Sequence, residues 1–123
     1  MDTIIDILEI LGYDDPTDVP INENITLERT GYMDLTIERV RETKISVAHY
    51  HTQRGDLMRD PEIVFDFAGD EWTPVQYTQD PRIYQYNEDG LEDIDNFATR
   101  WNQNLKNQGF VTAAKQKAAE KAT

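Results

Sequence analysis

His49 and His51 are the two histidines of the chain, and their spacing within a β-rich stretch turns both imidazoles to one face of a strand. With Asp56, Asp60 or Glu62 as a third ligand, the pair would make a divalent-metal site able to activate water for hydrolysis. The simpler reading is a strand end with one imidazole packed against Tyr50 or another aromatic. A pair without a fixed third ligand favours that simpler reading.

A second cluster follows at once. Arg54, Asp56, Met58, Arg59, Asp60 and Glu62 fall in or beside a stretch, 53–61, that reads as a loop between two hydrophobic strands. Loops on rigid scaffolds carry binding residues, so this is the main candidate patch, with Asp60 bonding nearby amides ahead of Pro61 as its structural alternative. Glu88, Asp89, Glu92, Asp93 and Asp95 crowd the start of a helical stretch, where they can imitate a row of DNA phosphates. Acids there, with Arg100 and Lys106 further on, also complement a helix dipole without any partner. Trp72, Tyr77, Tyr84, Tyr86 and Trp101 line a groove on one reading and a core with its rim on the other.

Much chemistry is excluded. There is no cysteine and one serine, Ser46, and the sequence holds no phosphate loop, nucleophile elbow or paired-histidine zinc helix. A carboxylate pair can be drawn anywhere among 24 acids, so it carries no information. No catalytic residue and no cofactor is implied.

Those 24 acids face 12 bases, for a net charge of -12. Residues 1–28 hold eight acids and no base, and 61–95 hold ten acids and one base. Residues 96–123 reverse the sign, with five bases and one acid. Such a field repels nucleic acid and anionic membranes and favours a basic protein partner. Asp2, Asp6 and Glu9 do not belong in a secretory apolar region, and no run is long enough to span a bilayer. Together with the lack of cysteine this points to the cytoplasm.

The elements that must position these residues read as an α+β fold. Ile4, Ile7, Leu8 and Leu11 predict a short helix over 3–11, with Asp2 as its cap and Gly12 as its left-handed stop. Period-two alternation predicts strands at 33–38 and 44–52, joined by a turn at 41–43, and then at 62–68, 72–78 and 83–86. Pro74 marks an edge or a bulge. Leu91, Ile94, Phe97, Trp101 and Leu105 form one helical stripe, with Asp89 and Glu92 at capping-box spacing and Gly109 as the stop. The architecture is an antiparallel meander sheet of four or five strands packed by a C-terminal helix, with a short N-terminal helix. A single domain over 1–110 and a flexible Ala/Lys-rich tail over 111–123 complete the expectation.

The run Ile45-Ser46-Val47-Ala48-His49-Tyr50, then Gly55-Asp56-Leu57-Met58-Arg59-Asp60-Pro61-Glu62, then Trp72, Pro74 and Tyr77, resembles an uncharacterised domain of bacterial mobile elements and their phages. The resemblance covers about 33–108. It implies a cytosolic accessory protein of a conjugative element, plasmid or prophage and carries over no catalytic role. Three functions are compatible with these readings: a non-enzymatic module that binds a protein partner, an antirestriction-type acidic DNA mimic, and a metal-dependent hydrolase using His49 and His51.

Overall fold

A computed structural model of the protein describes residues 1–122, so Thr123, the end of the expected tail, lies outside the described residues. Helix α1, Asp2–Ile10, buries Thr3, Ile4, Ile7 and Leu8. It stops as its glycine predicts. Gly12 has φ +98, its N–H donates to Glu9 at 3.0 Å, and Tyr13 N–H donates back to Leu8 at 2.8 Å. This is the paired bonding that a left-handed residue after a helix permits. The other end departs from expectation: Asp2 is inside the helix and Met1 is the N-cap, with no side-chain bond of its own. The free Thr3 N–H instead donates to Asn102 Oδ1 at 2.8 Å, so the cap comes from another helix.

Six strands succeed it in chain order: β1 Asn24–Leu27, β2 Leu35–Arg41, β3 Lys44–Gln53, β4 Asp56–Asp66, β5 Thr73–Gln79 and β6 Ile83–Tyr86. Each pairs antiparallel with the next, giving an uninterrupted meander. The sixth strand beyond the expected count is β1, four residues whose apolar positions are Ile25 and Leu27. Met33 lies outside β2 and is exposed.

Register sorts the sheet into faces. Ile25, Ile37, Val47, Ile63 and Tyr77 stand side by side across β1 to β5, as do Leu27, Leu35 and His49 across β1 to β3. This is the covered face. The other face carries two rows: Asn24, Glu38, Ser46, Val64, Gln76 and Tyr86; and Thr26, Thr36, Ala48, Glu62, Thr78 and Tyr84.

The expected loop at 53–61 is instead a long hairpin. Only Arg54 and Gly55 turn, with φ +54 and +86, and β4 begins at Asp56. Two consecutive residues at positive φ fit the type I′ turn, whose twist matches the flanking strands. Polar side chains and Pro61 hid the strand. Ala48 faces Glu62 and Tyr50 faces Arg59, so His49 alone opposes both Asp60 and Pro61. The missing proline N–H therefore falls in a bulge, where no ladder bond is lost. The Asp60–Pro61 and Asp80–Pro81 peptide bonds are cis. Pro74 likewise lies next to a bulge, where register shifts opposite Val64 and Phe65.

Helix α2, Glu92–Asn107, buries Ile94, Trp101 and Leu105 of the expected stripe and Ala98 beside them, while Phe97 is partly buried. The expected capping box does not form. Leu91 is the N-cap, and Asp89 N–H is taken by Asn87 Oδ1 at 2.9 Å. The segment expected as a flexible tail is helical: α3 spans Phe110–Ala122. Phe110 and Ala114 are fully buried, and Ala113 nearly so. Beyond Phe110 and Val111, alanines give close helix contact without a further large apolar residue, so no stripe announces the helix in sequence. Between α2 and α3, Gly109 has φ +93, and Arg29 Nε donates to the Gln108 carbonyl at 3.1 Å.

One core joins Ile4, Ile7 and Leu8 of α1, the α2 stripe and Phe110 of α3 to the covered face. Each fully buried large aliphatic side chain contributes about 1.5–3 kcal/mol. Ala48, Val64 and Val75 are also buried, yet they lie outside this core, on or beside the second face.

Candidate functional site

The 54–62 patch does not act as one unit. Arg54 and Asp56 sit exposed at the hairpin tip with Leu57, which is 67% exposed. Met58 stands across from His51. Asp60, in the bulge, faces His51 Nδ1 at 3.4 Å and accepts a hydrogen bond from the Gln79 amide. Arg59 and Glu62 turn to the uncovered face, where each organises a set of polar neighbours.

Arg59 is clamped to Asp80. Its backbone N–H, Nε and Nη2 donate to the carboxylate at 2.8, 2.9 and 3.1 Å. Asp80 N–H donates back to the Arg59 carbonyl at 3.0 Å, so the β5–β6 turn is locked onto β4. The hydrogen bonds from Arg59 hold the Asp80 carboxyl below its ordinary value, and Asp80 raises that of Arg59. Two parallel N–H donors on one carboxylate form the geometry that makes arginine selective for such a partner.

Glu62 is 8% exposed although no helix lies over it. Ser46 Oγ donates to its Oε2 at 2.6 Å, while Gln76 Nε2 and Arg59 Nη1 approach Oε1 only to 3.5 and 3.7 Å. Burial, then the charges of Glu62 and Glu38, push the neighbouring Tyr50 phenol up. Thr78 Oγ1, buried on the same row, has no hydrogen-bond partner among the described residues. Ser46, Gln76 and Asp80 were not singled out in sequence. For Ser46 and Gln76 the only signal was alternation: Ser46 between Ile45 and Val47, and Gln76 between Val75 and Tyr77, are polar positions of half-buried strands.

The histidines part company. His49 is 6% exposed, its ring centroid 5.6 Å from Trp101 and 5.7 Å from Phe110. Its Nδ1 lies 3.1 Å from the Asp34 carbonyl and so carries the proton. Burial holds the imidazole below the ordinary histidine value, against the backbone of Asp34 and Met33 and the charges of Asp60 and Asp34. His51 has Asp60 as its neighbour instead. The spacing placed both rings on one face, but nothing completes a coordination set. Among the described residues no three His, Cys, Asp or Glu side chains are grouped to hold a metal ion.

The acidic residues divide as well. Glu88 accepts from the Tyr86 hydroxyl and pairs with Lys44 at 3.7 Å. Glu92, Asp93 and Asp95 occupy the first turn of α2 and Lys106 its last, complementing the dipole. Asp2 of α1 and Asp95 of α2 border one groove, so the two acidic segments meet in space. Of the aromatic set, Trp101 is core and Tyr77 packs edge-on to Phe97, while Tyr84 and Tyr86 are exposed.

Among the described residues, fold and site together define a two-layer α+β protein: a six-stranded antiparallel meander, three α-helices on one face, and a hydrogen-bonded polar network on the other. The chain matches the family described as Domain of unknown function (DUF6908) over residues 2–111 and belongs to it. That match takes in the acidic first 28 residues, which the resemblance over 33–108 left out. No curated protein and no solved structure matches the chain. Among the described residues no helix is long and apolar enough to cross a membrane.

Proposed function

We propose that the protein is a non-enzymatic accessory module that binds a protein partner through the uncovered face of its sheet. The observation that carries this reading is Glu62, a carboxylate buried on that face and held by Ser46. A sheet face meant only for water has no need to order a charge there, because a partly satisfied polar network costs stability. Exposed Tyr84 and Tyr86 lie beside the network and exposed Leu57 stands at the hairpin tip of the same sheet, and exposed apolar and aromatic groups around polar anchors are what interfaces use. The net charge of -12 favours a basic partner. The resemblance to domains of mobile elements supports a cytoplasmic setting in bacteria.

The test is affinity capture from a bacterial lysate with wild type, a Leu57→Asp/Tyr84→Asp variant and an Asp2→Asn/Asp95→Asn variant. The reading expects one stoichiometric partner, lost with the first variant and kept with the second. Retention by Leu57→Asp/Tyr84→Asp would refute it. A second reading, the DNA mimic, is favoured by the meeting of Asp2 and Asp95. It expects the reverse variant pattern and binding that falls steeply with salt.

A further inference from the structure

On the uncovered face, between the β2–β3 turn and β6, lies a cavity of about 180 Å³. Val40, Val64 and Val75 form its apolar walls, Glu62 and Gln76 lie against it, and Tyr86 stands at its side. Small-molecule sites usually run to about 300–1,000 Å³. At about 30 Å³ per water, this cavity holds roughly six waters, the scale of one inserted side chain.

Its chemistry is uneven. Glu62 Oε2 is satisfied by Ser46 at 2.6 Å, but the donors nearest Oε1 are Gln76 at 3.5 Å and Arg59 at 3.7 Å. A charge-assisted bond to a carboxylate is normally about 2.7–2.9 Å, and Arg59 is already committed to Asp80. Beyond the long Gln76 contact, Oε1 therefore keeps acceptor capacity that no donor among the described residues fills. Two cations, Arg41 and Lys44, also border the cavity. Lys44 is balanced by Asp66 and Glu88, each at 3.7 Å, and Arg41, exposed at the cavity's border, has Glu88 as a charge neighbour as well. The uncovered face as a whole stays acidic, with Glu38, Glu62, Asp66, Asp80 and Glu88 against Arg41, Lys44 and Arg59.

We infer that this cavity receives a lysine or arginine side chain of the protein partner. The cationic head bonds Glu62 Oε1, the methylene stem lies along the valines, and the Tyr86 ring flanks the charge. This rests on the binding reading above and names its anchor.

The probes are n-butylammonium and n-butylguanidinium, titrated at low salt into 15N-labelled full-length protein, with butyrate and inorganic phosphate as anionic counterparts. Saturable amide shifts are expected at Val64, Gln76 and Tyr86 for at least one cation and neither anion. Glu62→Gln is expected to weaken that binding at least tenfold and Tyr86→Ala severalfold. Asp6→Asn, on α1, is expected to leave it unchanged. Because Tyr86 is exposed, its variant reports on the site even if Glu62→Gln fails to fold. Cation shifts confined to the acidic helices, anion shifts at the cavity, or undiminished binding by both variants would overturn the inference. If the cations miss the cavity while Leu57→Asp/Tyr84→Asp still loses the partner, the anchor alone is wrong. If that variant keeps the partner, the binding reading itself has failed.

Discussion

Replacing Phe110 by alanine removes a ring that is fully buried at the start of α3, with its centroid 5.7 Å from His49 and 6.4 Å from Tyr32. Truncating a buried phenylalanine costs about 3–5 kcal/mol, from lost transfer energy and the cavity left behind. A domain of this size has about 5–15 kcal/mol in total, so the loss is a large fraction of its stability. At roughly 3–5 °C per kcal/mol for a chain of this length, the melting midpoint should fall by about 9–25 °C. Lys115→Ala, exposed on the same helix, should shift it by less than about 2 °C. Far-ultraviolet circular dichroism on heating, with urea midpoints as a second measure, makes the comparison. The two substitutions separate a docked helix from a loose tail, because both leave helix propensity almost untouched or improved. A Phe110→Ala midpoint within about 2 °C of wild type would refute the docking of α3 and the burial argument behind it.

Three further outcomes are expected. Because burial lowers the folded-state His49 value below the unfolded one, its neutral form stabilises the fold fully above the unfolded value of about 6.5, and that stability drains away as pH falls below it toward the folded value. Urea midpoints between pH 7.5 and 5 should show this loss in wild type and a smaller one in His49→Leu. Gly109→Ala should cost more than about 1 kcal/mol, since φ is +93 and the new Cβ would lie 2.5 Å from Arg29 Nε, displacing the group that bonds the end of α2. Arg54→Asn should raise stability by up to about 1 kcal/mol, because asparagine tolerates the φ of +54 at this turn better than arginine does, and chemical denaturation reads the difference directly.

Local pattern was enough for the elements whose own side chains alternate or form a stripe. Ile45 and Val47 announced β3, the residues from Leu91 to Leu105 announced α2, and Gly12 announced the end of α1. These signals lie within a few residues because helix and strand periods repeat within a few residues. The hairpin at 54–62 escaped because its turn is Arg54-Gly55 rather than a recognised turn pair, and its polar outer strand needs the bulge opposite His49 to accommodate Pro61. Helix α3 escaped because Ala113 and Ala114 look like any exposed alanine until another helix lies against them.

The candidate site shows the same division more sharply. Sequence identified Arg59 and Glu62 as residues of interest but put Arg59 in a loop and Glu62 at the start of the next strand, and it offered no reason to join them to Ser46, Gln76 or Asp80. Those partners lie 14 to 21 residues away, and the residue that caps α1, Asn102, is 99 residues from Thr3. Composition and periodicity by themselves determined an acidic α+β chain with a half-buried sheet. Only the tertiary structure decided which face the helices cover, where the buried carboxylate finds its donors, and that the two histidines serve different neighbours. A hydrogen bond or a buried ring is set by distance in space, and chain folding, not spacing along the chain, creates that distance.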